Sequence, residues 1–99
     1  MDGVAYLLHE TYKEDPIGQR LLTKTKRKIL VSEGNLTRKE YFKAGQSGMN
    51  PELILTTAAI NYAGEAMIEY RQVLYGIYRT FHKSDSDEIE LYLHRKGGV

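Results

Sequence analysis

Ninety-nine residues make one domain with room for one modest core, and 41% hydrophobic with 27% charged residues is ordinary for a globular chain. A formal net charge of +1 removes any bulk attraction to nucleic acid, so a basic partner surface would have to be local. The absence of cysteine excludes disulfides, thiolate chemistry and cysteine-ligated zinc.

The opening "MDGVAYLLHE" starts acidic and has only a short apolar run, so it does not read as a signal peptide. No apolar run approaches the ~20 residues of a membrane helix. A soluble product made in the cytoplasm is expected. "VAYLLHETY" is the first strand candidate, with Val4, Tyr6 and Leu8 on one face and Leu7 and His9 on the other. Asp15-Pro16 followed by Gly18 signals a turn. "QRLLTKTKRKILVSE" reads as a long second strand that places Leu22, Lys24, Lys26, Lys28 and Leu30 on one face.

Next, Thr37 and Glu40 fit a capping box, and "RKEYFKAGQ" has the composition of a helix. A helix this short is marginal alone, so Tyr41 and Phe42 are expected to dock it on the sheet. Glu40 to Phe42 would form a rigid base, and Gly45, Gln46, Ser47, Gly48, Met49 and Asn50 a mobile loop tip. Pro51 would turn the chain into the next strand. "ELILTTAAI" is the third strand and "NYAGE" a turn at Gly64. "AMIEY" and "VLYGIYRTF" form a hairpin across Arg71-Gln72, "HKSDSD" another turn, and "EIELYLHRK" a last strand with Ile89, Leu91 and Leu93 inward. The pattern predicts a mainly β domain spanning residues 1–99. Its form is a small antiparallel β-barrel of about six strands, with one short α-helix and a long loop between strands 2 and 3.

No catalytic signature emerges. His9, His82 and His94 lack metal-ligand spacing. Asp85, Asp87 and Glu88 lack the glycine and terminal glutamate of a calcium loop and read as a solvated turn. The serines lack a nucleophile elbow, and no glycine-rich loop opens a helix. No metal or cofactor is expected. The Lys24/Lys26/Lys28 stripe reads either as a strand edge kept soluble by lysine or as a surface for phosphate or an acidic protein. Arg79 shares a face with Tyr75, Ile77 and Phe81, the expected inward side, where a guanidinium needs a partner. Glu65 is the candidate for a structural ion pair with it, and a barrel-end position reaching solvent is the alternative.

Four segments in order, "EYFKAGQSGMNPE", "NYAGE", "YGIYRTF" and "DEIELYLHRKGGV", together resemble the head-closure (stopper, or head–tail joining) proteins of long-tailed bacteriophages and prophages. The resemblance covers nearly the whole chain. It departs at Arg71-Gln72, where the family often has a glycine, and at Gly76, where a polar residue is common. It implies a structural virion protein rather than an enzyme: a homo-oligomeric ring in the neck, below the portal and its adaptor. Such a ring closes the DNA-filled head, helps retain the DNA and offers a docking surface to a tail terminator or tail-completion protein. Packaged double-stranded DNA would lie nearby in the channel, and no membrane is involved. The loop Gly45–Pro51 would contact the channel or adaptor, and the lysine stripe a neighbour or DNA. Two alternatives accompany this reading: a related neck or tail-completion protein, and an oligonucleotide-binding barrel that uses Lys24, Lys26 and Lys28.

Overall fold

The computed structural model describes residues 2–14, 16–18, 20–46, 48 and 51–98. Six strands follow one another: β1 (Asp2–Glu14), β2 (Arg20–Gly34), β3 (Pro51–Ala58), β4 (Met67–Tyr70), β5 (Val73–His82) and β6 (Glu88–Gly98). One helix, α1 (Arg38–Gln46), separates β2 from β3, and a single 3-10 turn, Ala59–Asn61, follows β3. All strand pairs are antiparallel and join in the order β1-β2-β3-β6-β5-β4, with β4 returning to β1, so the sheet closes into a barrel.

Alternation decides what fills it. Ala5 and Leu7 of β1, Ile29 and Val31 of β2, Leu55 of β3, Ile68 and Tyr70 of β4, Tyr75 of β5, and Ile89, Leu91 and Leu93 of β6 form one buried cluster. These residues lie two apart along their strands, so they face one side of the sheet. Leu7, Leu55, Ile68, Leu91 and Leu93 lose essentially all their exposure. Each contributes about 2 kcal/mol of burial free energy.

The seams are short. β1 meets β4 through Ala5–Leu8 only, and β2 meets β3 through Ser32–Gly34 only, yet β1 and β2 pair without interruption from Asp2↔Ser32 to Glu14↔Arg20. From His9↔Thr25 outward, the two strands therefore leave the barrel as a ribbon of six cross-strand pairs. At ~3.4 Å per residue this arm is about 20 Å long. It accounts for extents of 52 × 30 × 25 Å. Its connection, Pro16 to Gly18, is exposed, and Gly18 takes a φ of 87°.

Expectations change at three places. The third strand stops at Ala58, and Ile60 is 91% exposed on the 3-10 turn. A β-bulge interrupts β5, where Ile77 opposes Leu93 but Arg79 opposes Tyr92, leaving Tyr78 as the extra residue. One inserted residue moves every later side chain to the other face. Tyr75 and Ile77 thus face the core as expected, whereas Arg79 and Phe81 face out, Phe81 at 49% exposure. Third, Gly45 and Gln46 belong to the last turn of α1, not to a loop tip, and the Gly48 N–H donates to the Gly45 carbonyl at 3.1 Å.

The β4–β5 hairpin turns on Arg71 and Gln72 with φ of 52° and 64°, between the paired residues Tyr70 and Val73. Two left-handed central residues make the type I′ turn that matches strand twist, a conformation that usually calls on Asn-Gly. Arg71 is held there by a 3.1 Å ion pair to Glu33 and by its guanidinium 5.3 Å from the Tyr70 ring centroid. Gln72 carries the left-handed strain with an exposed side chain. Gln72→Gly should therefore stabilise the protein by about 1 kcal/mol, measured as a rise in the denaturant midpoint at unchanged slope.

Candidate functional site

The helix is attached to the barrel by charge. Thr37 caps it, its Oγ1 accepting the Glu40 N–H at 3.1 Å, which is one half of the expected capping box. The Glu40 side chain does not complete the other half. It turns toward the sheet, where both carboxylate oxygens accept from the Arg79 guanidinium and Oε2 also accepts the Tyr78 hydroxyl at 2.9 Å. Glu40 is 6% exposed. Arg79 in turn lies over the Tyr92 ring, 3.7 Å from its centroid, and Tyr78 meets Tyr92 edge-on at 6.3 Å.

This cluster exists because of the β5 bulge, which puts Tyr78 and Arg79 on the outer face beside Tyr92. Ala44, one turn along α1 from Glu40, is also buried, as are Ile54 and Tyr92 on the outer face of β3 and β6. Phe42 is 63% exposed and lines a shallow depression with Leu36, Thr37 and Arg38. The Tyr41 side chain lies outside the described residues. Arg79 does not pair with Glu65, because the bulge turns it to the opposite face.

Glu65 has a different arginine. Inward parity on β2 runs Val31, Ile29, Arg27, so Arg27 sits at the barrel's end, opposite Leu7. Its Nη2 donates to Glu65 Oε2 at 2.6 Å and to the Asn61 carbonyl. The other Glu65 oxygen accepts the Ala63 N–H at 2.8 Å, and the Tyr62 hydroxyl donates to the Glu65 carbonyl at 2.8 Å. Gly64, at φ 91°, makes the turn. Asn61 Nδ2 donates to Thr57 Oγ1 at 3.0 Å, and buried Thr57 donates to the Leu30 carbonyl at 2.7 Å. "NYAGE" is thus a hydrogen-bonded polar turn over the end of the barrel. The signal for Arg27 was present in its parity with Ile29 and Val31.

The remaining candidates are surface features. Lys24, Lys26 and Lys28 share an exposed face, as expected, but Lys24 lies 3.8 Å from Glu10, and Lys26 donates to Glu69 at 2.8 Å. Gly48 is exposed; Pro51 is buried at the start of β3, opposite His94. Ser47, Met49 and Asn50 lie outside the described residues. Asp85, Asp87 and Glu88 are exposed at the β5–β6 turn, and the Ser86 hydroxyl accepts the Glu88 N–H at 3.1 Å. Gly76 opposes His94 so closely that a Cβ would sit 2.5 Å from its Nε2, which explains a glycine there. Burial, aided by Lys96, pushes the His94 imidazole below its ordinary value. Among the described residues, no three His, Asp or Glu side chains group to hold a metal. No helix among the described residues is long and apolar enough to cross a membrane.

Neither a known family model nor a curated protein matches the chain.

The Arg79 hydrogen bonds hold the Glu40 carboxyl below the ordinary glutamate range, outweighing the opposing effect of burial, with the Tyr78 hydroxyl assisting. A depressed carboxylate pKa contributes stability that is fully present above the ordinary glutamate value. It is lost as pH falls through the lowered one. An acid limb in the stability–pH curve is expected, and Glu40→Gln should flatten it in equilibrium unfolding across that range. Glu40→Ala and Arg79→Ala should each cost about 2 kcal/mol, through the partner left unsatisfied. The double variant should cost clearly less than their sum, whereas Glu65→Ala and Arg79→Ala should add.

Proposed function

We propose that this chain is a structural component of the phage neck, a head-closure protein acting as a ring between the portal–adaptor assembly and the tail. The observation that carries the reading is the scatter of exposed apolar residues over a closed barrel, on its wall at Leu30, 70% exposed, and at its extremities. Ile17 at the ribbon tip, Phe42 on the helix, Ile60 beside the polar turn and Phe81 next to the acidic turn are between 49% and 91% exposed. They project from four separate elements and converge on no cavity, a pattern suited to contacts with several large neighbours rather than with one small ligand. Order and spacing of the four family-like segments point the same way.

The barrel supplies the rigid body that such a joint needs, and α1 is pinned to it by the Glu40–Arg79 pair. In this reading α1 is the fixed base of the segment that would contact the channel or adaptor. Lys24 and Lys26 are already engaged by carboxylates of the same chain, which weakens the oligonucleotide-binding alternative. Phosphate binding would have to displace both, at exposed positions where such pairs are worth little.

The test is co-fractionation of the purified chain with the cognate portal–adaptor complex, followed by negative-stain imaging. A ring of added density below the adaptor is expected, with little retention of a labelled oligonucleotide at ~0.15 M salt, where a handful of phosphate contacts is already heavily screened. Failure to join the complex, together with oligonucleotide binding that falls steeply with salt, would overturn the assignment in favour of a nucleic-acid-binding barrel.

A further inference from the structure

The barrel has no open edge at its waist, but its arm has two. β1 is covered by β4 only at Ala5–Leu8, so among the described residues its outer edge is bare from His9 to Glu14. β2 is covered by β3 only at Ser32–Gly34, so among the described residues its outer edge is bare from Arg20 to Val31, apart from the Thr57 hydroxyl on the Leu30 carbonyl. Bare edges invite another strand unless something prevents it.

We propose that these two edges pair with each other between neighbouring copies, the β1 edge of one arm against the β2 edge of the next. Within one chain β1 and β2 are antiparallel. Laying β1 of one copy beside β2 of another in the same sense continues an antiparallel sheet without reversing either arm. The contact is heterologous, since each copy uses one edge to give and the other to receive. Such contacts close into a ring when the rotation per copy permits. Strand addition of this kind draws its affinity from main-chain hydrogen bonds and its selectivity from side chains.

Charge selects this partner over the self-pairing of like edges. From Arg20 to Lys28 the β2 strip carries five basic residues, Arg20, Lys24, Lys26, Arg27 and Lys28, and no acidic one. From His9 to Glu14 the β1 strip carries Glu10 and Glu14 against Lys13 alone. Two β2 edges together would set lysine against lysine, which cross-strand pairing disfavours. A β1 edge on a β2 edge sets Glu10 beside a neighbour's ammonium groups, in exchange for its exposed 3.8 Å pair with Lys24 of the same chain, which is worth little by itself. Leu30, 70% exposed at the root of the β2 edge, would be covered by the same contact. The proposal rests on the ring reading above and names the surface that would build it.

Two charge-reversed chains test it by sedimentation. Lys24→Glu, Lys26→Glu and Lys28→Glu together leave the β2 strip with three acidic against two basic residues, so both edges are acidic, and Glu10→Lys with Glu14→Lys makes both basic. The unaltered chain is expected to self-associate and to dissociate as salt rises. Each reversed chain alone should remain monomeric with a cooperative thermal transition lowered only slightly, because the substitutions lie outside the core and break exposed in-chain pairs that are worth little. An equimolar mixture should recover the oligomer, since every junction then joins an acidic edge to a basic one, and so should the chain that carries all five substitutions. Self-association lost only in the first variant, with no recovery on mixing, would mean that β2 edges pair with each other and would overturn the proposal. So would an unaltered chain that stays monomeric, or an oligomer indifferent to both reversals. None of these results bears on binding of the portal–adaptor complex, so the two readings fail separately.

Discussion

Four residue pairs, Ala5 to Leu8 of β1 against Tyr70 to Met67 of β4, turn this sheet into a barrel. Everything else depends on that seam. A chain of 99 residues with one nine-residue helix has no second layer large enough to cover a flat sheet. Curling the sheet lets each strand's inner residues bury those of the strands opposite, so one apolar face suffices. Glycine assists where backbones or rings crowd: a Cβ on Gly3 would stand 3.2 Å from the Tyr70 hydroxyl, just where β1 approaches β4. That hydroxyl donates to Glu33 at 2.8 Å, tying the seam to β2.

Outside the barrel, polar contacts replace hydrophobic ones. The helix is too short to stand alone, and Ala44 is its buried apolar residue among those described. Its position is instead specified by a carboxylate that accepts from a guanidinium and a tyrosine hydroxyl over a second tyrosine ring. Such a pair adds less net stability than its Coulomb energy suggests, because both groups lose water. What it adds is direction: a bidentate contact is met in one orientation, whereas an apolar patch would let the helix slide.

The two ends of the barrel differ in a way that suits an assembly component. At one end Arg27, Glu65 and the backbone of Asn61 to Glu65 bond one another in a polar turn over the end of the barrel. From the same level β1 and β2 run on past the barrel, where His9, Glu10, Lys24 and Thr25 are exposed. Ordering such an extension carries a backbone entropy cost. Contact with a neighbouring copy would offset that cost, and this is the sense in which the arm and the neck-ring reading support each other.

The alternation of apolar residues along six segments, the turn residues between them and the Thr37–Glu40 cap were enough to establish the strands, the span of α1 and the closed β class, because each is a local property with a period of its own. Ile89, Leu91 and Leu93 lie inward and Lys24, Lys26 and Lys28 outward as their spacing implies. Partners of the charged residues were not legible. One bulge at Tyr78, with no mark in the sequence, reversed the faces of Arg79 and Phe81 and gave Arg79 to Glu40, a residue 39 positions away. Arg27 could be placed on the inner face by parity, but that it reaches Glu65 depends on how the β3–β4 connection folds over the barrel's end. Periodicity records which way a side chain points within its own strand. Which group it then meets is set by register and closure, and those emerge only when all six strands are paired.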